Sequence, residues 1–211
     1  MAQSHKVLVA YTTNAGTTEE VATIIGEELG RDGIQVDVRR IEEIADLEPY
    51  TAVVIGGPMI MGWHKAAAKF VKKHQQALSQ VPVAYFLTAM SLTQTGETSI
   101  GAIPLCIDPM LAKAPRNANR LGFRERYATA TNYLRPILTS SPQVKPVSIA
   151  LFGGKLEFYR LKLLQMLFVL LVIQAQPGDR RNWPVIREWA AGLRTKLLKS
   201  PPDENAGAAA P

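Results

Sequence analysis

Lys6-Val-Leu-Val-Ala-Tyr11, then Thr12-Thr-Asn-Ala-Gly-Thr-Thr18, then Glu19-Glu-Val-Ala22: this stretch decides the fold. The first six residues are a short apolar run stopped by turn formers, which suits a strand buried on both faces. From Glu19 to Leu29 the apolar residues Val21, Ile24, Ile25 and Leu29 recur at helical spacing, and two acids occupy the first turn. Between strand and helix lie Thr12, Thr13, Asn14, Ala15, Gly16, Thr17 and Thr18, small and rich in hydroxyls. A helix amino terminus offers several unpaired N–H groups and partial positive charge, so such a loop can hold a phosphate. The same threonines ahead of Glu19-Glu20 also read as a capping box, and the loop alone does not choose between the two. It carries no lysine or arginine, which argues against a nucleoside triphosphatase, and no Gly-x-Gly-x-x-Gly fingerprint of dinucleotide binding.

Outward from this stretch, strands and helices alternate. Ile34–Val38 alternates apolar and polar residues like an edge strand, and Ala52–Ile55 is a continuous apolar run closed by Gly56-Gly57-Pro58. A helix is predicted from about Lys65 to Leu78 and a strand over Val81–Leu87. The order β-α-β-β-α-β predicts an α/β domain with a parallel, doubly wound sheet. Its ligand belongs beyond the carboxyl ends of the strands, where strand order reverses. Residues 93–128 are broken by Gly96, Gly101, Pro104, Pro109 and Pro115 and read as a long inserted loop. Helices are predicted over Tyr127–Leu138, Lys155–Gln174 and Pro184–Leu198, with a strand over Pro146–Phe152. The domain spans 1–199, and 200–211 reads as a disordered tail.

The chain has 211 residues, 47% hydrophobic and 20% charged, enough for one domain with its own core. One cysteine, Cys106, excludes an internal disulfide and multi-cysteine metal sites, and favours a reducing, cytoplasmic location. The opening residues read as lacking a secretion signal. No metal site is expected. Charge is uneven: residues 1–98 carry 8 basic and 11 acidic side chains, and residues 99–211 carry 16 and 7. The basic half suits an anionic lipid surface, a carboxylate-bearing substrate or an acidic protein, or it is simply a solvated face. No recognition motif accompanies the charge, so nucleic acid is not an expected partner.

Tyr11–Thr18 with Glu19-Glu-Val-Ala22 resembles the phosphate loop of flavodoxin-like FMN proteins. Three further segments resemble the branch containing menaquinone-dependent protoporphyrinogen IX dehydrogenase: Gly57-Pro-Met-Ile-Met-Gly-Trp-His64, Phe152-Gly-Gly-Lys-Leu156 and Gly178-Asp-Arg-Arg-Asn-Trp183. The resemblance covers about residues 6–92 and 146–198. It implies a flavodoxin fold, five parallel strands in the order 2-1-3-4-5 with helices on both faces, and noncovalent FMN. It also implies that residues 12–18 hold the FMN phosphate. Pro58, Met59, Ile60, Met61, Gly62, Trp63 and His64 would flank one face of the isoalloxazine. Thr88, Ala89, Met90, Ser91 and Leu92 would line its other edge. Met59, Met61 and Trp63 can pack on a flat ring, or serve as ordinary core residues. His64 is either a proton donor near the flavin or a cap on the helix beside it. Asn14-Ala15 departs from a pattern with a basic residue at the first of these positions. Residues 93–128 fall outside the resemblance; Arg116, Arg120 and Arg124 are the candidates there for substrate carboxylates.

Leu163–Ile173 is almost wholly apolar. Eleven helical residues reach about 16 Å, roughly half the ~30 Å hydrocarbon core, so the segment cannot span a bilayer. It suits one leaflet, with Lys155, Arg160, Lys162, Arg180 and Arg181 on lipid phosphates, or else a buried core helix or a homodimer interface. The leading functional expectation is an FMN oxidoreductase that passes electrons from a reduced substrate, a porphyrinogen, to a quinone. The alternatives are a flavodoxin-like electron carrier and a non-catalytic module of the same fold.

Overall fold

The protein is described from a computed structural model over residues 5–59, 62–117, 120–156 and 178–198. β1 (Lys6–Tyr11) leads through the hydroxyl-rich loop into α1 (Thr17–Leu29), then β2 (Gln35–Arg40), β3 (Ala52–Pro58), α2 (Lys65–Lys73) and the short α3 (Gln75–Leu78). β4 (Val83–Ala89) follows, with β5 (Leu92–Thr93), β6 (Ser99–Ile100), β7 (Ile103–Ile107), β8 (Ala112–Lys113), α4 (Phe123–Tyr127) and α5 (Ala130–Ser140). β9 (Ser148–Gly153), β10 (Lys155–Leu156), β11 (Gly178–Asp179) and α6 (Trp183–Leu197) complete the described elements.

The main sheet has the order β2-β1-β3-β4-β9-β7-β6. The five expected strands keep their expected order inside it, all parallel. The strand count differs from expectation. The segment read as an inserted loop supplies β7, which adds to β9 in parallel through Leu105↔Ile149 and Ile107↔Leu151, and β6, antiparallel to β7. Ile103-Pro-Leu-Cys-Ile107 is the apolar run responsible. Pro104 lacks an N–H, which a helix interior does not tolerate, and the parallel ladder with β9 begins only at Leu105, just past it. Lys155-Leu156 also differs: it opens not as a helix but as a strand pairing antiparallel with Gly178-Asp179. The rest of the predicted 155–174 helix and the 200–211 tail lie outside the described residues.

The period of two along each strand sorts the core into two layers. Leu8, Val53, Ile55, Tyr85, Leu87 and Ile149 face α2 and α5 through Phe70, Val71, Leu134 and Ile137. Val7, Val9, Val54, Phe86 and Phe152 face α1 and α6 through Val21, Ile25, Ile186 and Leu193. Trp189 anchors the second layer, stacking edge-on against Phe152 and donating to Ser148 Oγ at 3.1 Å. With both faces covered, the loops at the carboxyl ends of the strands are held from below.

Candidate functional site

The loop after β1 is built around Gly16, whose φ of +86° lies in the left-handed region. This conformation suits glycine because it has no Cβ to strike the backbone. It turns the chain into α1, whose first turn carries Glu19 and Glu20. Among the described residues, no protein group accepts from the amides of Thr17, Thr18 or Glu19. The Gly16 amide points inward and donates to Thr13 Oγ1 at 3.0 Å.

The other threonines tie the loop to its surroundings. Thr17 Oγ1 donates to the Lys155 carbonyl at 3.2 Å, fixing the loop to β10. Thr18 and Thr88 share a buried hydroxyl–hydroxyl hydrogen bond of 3.0 Å. The Thr12 amide donates to the Gly56 carbonyl, and its hydroxyl lies 3.4 Å from both Glu42 Oε1 and His64 Nδ1. Residues 12–18 were expected to hold the phosphate together. The fold turns the hydroxyls of Thr12, Thr17 and Thr18 toward the protein, leaving main-chain N–H groups as the principal open donors.

His64 joins two of the loops. Its Nδ1 accepts from the Ala66 amide at 3.3 Å, which caps α2, so that nitrogen bears no proton. Nε2 therefore carries the hydrogen and donates to Asn14 Oδ1 at 3.1 Å. The cap and the inter-loop tie are one residue's two ends.

The two ends of the 58–64 segment are tied to each other. Met59 bridges antiparallel to Trp63, the His64 amide donates to the Pro58 carbonyl, and the Met59 amide donates to the Thr88 carbonyl at 2.8 Å. Gly62 has φ +123°. Ile60 and Met61, expected beside a flavin, lie outside the described residues. Met59 and Trp63 are 5% and 8% exposed and belong to the core layer under α2. Trp63 packs on Tyr85 at 5.2 Å between ring centroids, and its buried indole N–H has no acceptor among the described residues.

On the third loop, Thr88, Ala89 and Leu92 are buried, Met90 is half-buried and Ser91 is exposed. The carbonyls of Ala89, Met90 and Ser91 accept from Gly154 N, Arg180 Nη1 and Tyr133 Oη respectively.

The Gly178–Trp183 segment draws these loops together; its Arg180 and Arg181, expected on lipid phosphates, instead turn to the Met90 carbonyl and to Asp179 and Glu20. Arg180 holds Met90. Arg181 lies over the Trp183 ring and pairs with Asp179 and with Glu20 at the head of α1. The Arg181 guanidinium holds the Asp179 carboxyl below its ordinary value, and the two acids push Arg181 up in return. Asn182 Nδ2 donates to Asp108 at 3.1 Å. Asp108 is wholly buried and also accepts from the Met110 and Gly153 amides. Its position between the apolar run of β7 and Pro109 was the only available sequence signal for it. Arg116, Arg120 and Arg124 are exposed on the inserted segment. That segment reaches the third loop through the pairing of Leu92 with Ala112, and Tyr133 of α5 holds the Ser91 carbonyl beside it.

A family model described as a flavodoxin domain matches residues 8–182; the chain belongs to the flavodoxin family. It is 27% identical over 189 residues to protoporphyrinogen IX dehydrogenase [quinone] of Escherichia coli strain K12, covering 87% of this chain and 88% of that protein. The protein of the same description from Escherichia coli O157:H7 matches equally. Among solved structures, a flavodoxin from the domain Archaea aligns with 92% of this chain and 99% of its own, at TM-score 0.49 and 12% identity. Oxidised flavodoxin 2 from Bacillus cereus aligns with 90% and 99%, at TM-score 0.46 and 14% identity.

Family membership makes FMN the cofactor and redox chemistry the activity, so the chain is an FMN oxidoreductase. The residues present fit that group. A left-handed glycine, three unaccepted amides at a helix start and two further loops locked to the first can seat a phosphate and bracket a flat ring.

Proposed function

We propose that this oxidoreductase dehydrogenates a porphyrinogen, as protoporphyrinogen IX dehydrogenase does, and passes the electrons to a membrane quinone. Supporting this is the β10–β11 ribbon, whose base is hydrogen-bonded to Thr17 in the cofactor loop while its arginines grip α1 and the third loop. It borders one edge of the site, and the sequence between its strands holds the apolar run Leu163–Ile173. That suits a reaction with an apolar substrate and acceptor better than a carrier that must leave its flavin edge open to another protein.

When bound, FMN supplies the ring that accepts hydride from the reduced substrate and releases electrons to the quinone. The amides of Thr17, Thr18 and Glu19, with Asn14 and Thr13 beside them, hold the phosphate. Residues 58–64 and 88–92 bracket the ring and exclude water from it. His64 has its proton committed to Asn14 and its other nitrogen to the α2 cap, so it positions the two loops. Arg116, Arg120 and Arg124 meet the substrate carboxylates. Residues 155–174 contact the membrane peripherally, from the cytoplasmic side. Among the described residues, no helix is long and apolar enough to cross a membrane.

The test is anaerobic turnover of protoporphyrinogen by FMN-loaded protein with a menaquinone analogue, followed by porphyrin fluorescence. Quinone-dependent appearance of porphyrin supports the reading. An FMN-loaded protein that reduces no quinone with this substrate, but exchanges electrons with a partner protein, would make it a carrier.

A further inference from the structure

Exposed apolar side chains and positive charge concentrate in one short stretch. Among the described residues, the large apolar side chains left open to solvent are Val38, Met110, Phe123 and Tyr127, with Phe123 the most open at 81%. Three of these four fall within residues 110–127, which also carry Lys113, Arg116, Arg120, Arg124 and Arg126 against a single acid, Glu125. The Glu125 carboxylate accepts from the Arg116 and Gly122 amides at 2.8 and 2.7 Å, which holds its pKa down and ties it to the local turn. The stretch is therefore cationic and apolar together.

Its place in the fold is also informative. β8 pairs with β5 through Leu92↔Ala112 and Thr93↔Lys113, and Thr93 donates to Ala128 just past α4. Residues 110–113 and 123–127 are thus fastened directly beyond the third cofactor loop.

We infer that this surface docks on a bilayer bearing anionic headgroups, with Phe123 and Tyr127 entering the interface and Lys113 and Arg126 meeting lipid phosphates. A bilayer interface rewards aromatic rings and cations presented side by side, whereas a phenyl ring open to water gains nothing from charge pairing with a soluble acid. Docking here turns the cofactor rim toward the leaflet that holds a quinone. The inference deepens the proposed quinone reaction, but vesicle binding is read without turnover, so either can fail alone.

The experiment sediments FMN-loaded protein with phosphatidylcholine vesicles, with and without phosphatidylglycerol. Binding is expected only with the anionic lipid. Phe123→Ser combined with Arg126→Glu should lower the bound fraction about tenfold while FMN absorbance stays unchanged. As a second readout, Phe123→Cys carrying an environment-sensitive dye should shift to the blue on anionic vesicles alone. Cys106 competes little for the dye, because burial pushes its thiol up to about 11. Equal binding to uncharged vesicles, no binding at all, or full binding by the double variant would overturn the inference. So would detachment caused only by Leu167→Glu with Leu171→Glu, which would move the contact to the apolar run.

Discussion

Gly16 and His64 bear most on the cofactor at the scale of single residues. Forcing a β-branched side chain into a φ of +86° costs about 1–2 kcal/mol, and in the proposed site the bulk would stand where the backbone approaches a phosphate. Gly16→Val should therefore weaken FMN retention by at least about tenfold, measured by quenching of free flavin fluorescence; unchanged retention would remove the phosphate from this loop. His64→Ala deletes a helix cap worth about 1 kcal/mol and releases Asn14 at the same time. Both melting temperature and FMN affinity should fall. His64→Asn can restore the cap but is too short to hold Asn14, so it should recover stability more than affinity. Met59 and Trp63 show why residue type alone misleads. Both suit a flavin face and both suit a core, and the bridge between them turns them inward.

At the scale of elements, the β10–β11 ribbon and the start of α6 act as a latch across the carboxyl ends of the strands. The latch needs glycine at 153, because a Cβ there would stand 1.9 Å from the Arg180 carbonyl oxygen, which is backbone and cannot swing aside. Gly153→Ala should displace the 178–182 segment and loosen FMN without melting the sheet, seen as faster amide exchange confined to residues 178–183. The latch is also acid-sensitive. Arg181 depresses the Asp179 carboxyl in the folded chain, so the pair stabilises the fold above the ordinary carboxylate pKa. That contribution disappears as pH falls through the depressed folded value. Melting curves of the wild type and Asp179→Asn should therefore differ at neutral pH and converge in acid. A gap that widened in acid would contradict the assignment.

At the scale of the whole molecule, cofactor binding and folding are linked. A ligand bound only by the native state at a hundredfold its Kd adds about 2.7 kcal/mol, or about 5–10 °C in melting temperature for a domain of this size. Added FMN should produce a shift of that order, and no shift would mean that the folded protein does not bind it. The strand order was implied only by the family resemblance, while the parallel strand–helix alternation was legible because the apolar runs are bounded by turn formers and the crossover helices carry apolar stripes. The sixth parallel strand was not, because the prolines and glycines around Ile103–Ile107 hide a run whose strand character depends on β9 offering an open edge. Asp108 was hidden for a related reason. A lone carboxylate beside a proline shows its purpose only when Gly153, Met110 and Asn182 are brought to it.

The residue string by itself determined the alternation of strands and helices and the glycine bend ahead of α1. Those features follow from contacts within a few residues, where local sterics and periodicity act. Only the tertiary structure decided which hydroxyls remain for a ligand, which aromatics leave the site for the core, and how residues 178–183 gather the three loops. Each of those outcomes rests on pairs far apart in sequence, Thr18 with Thr88 and Arg180 with Met90 among them. The parallel sheet, by aligning its carboxyl ends, is what makes such pairs neighbours.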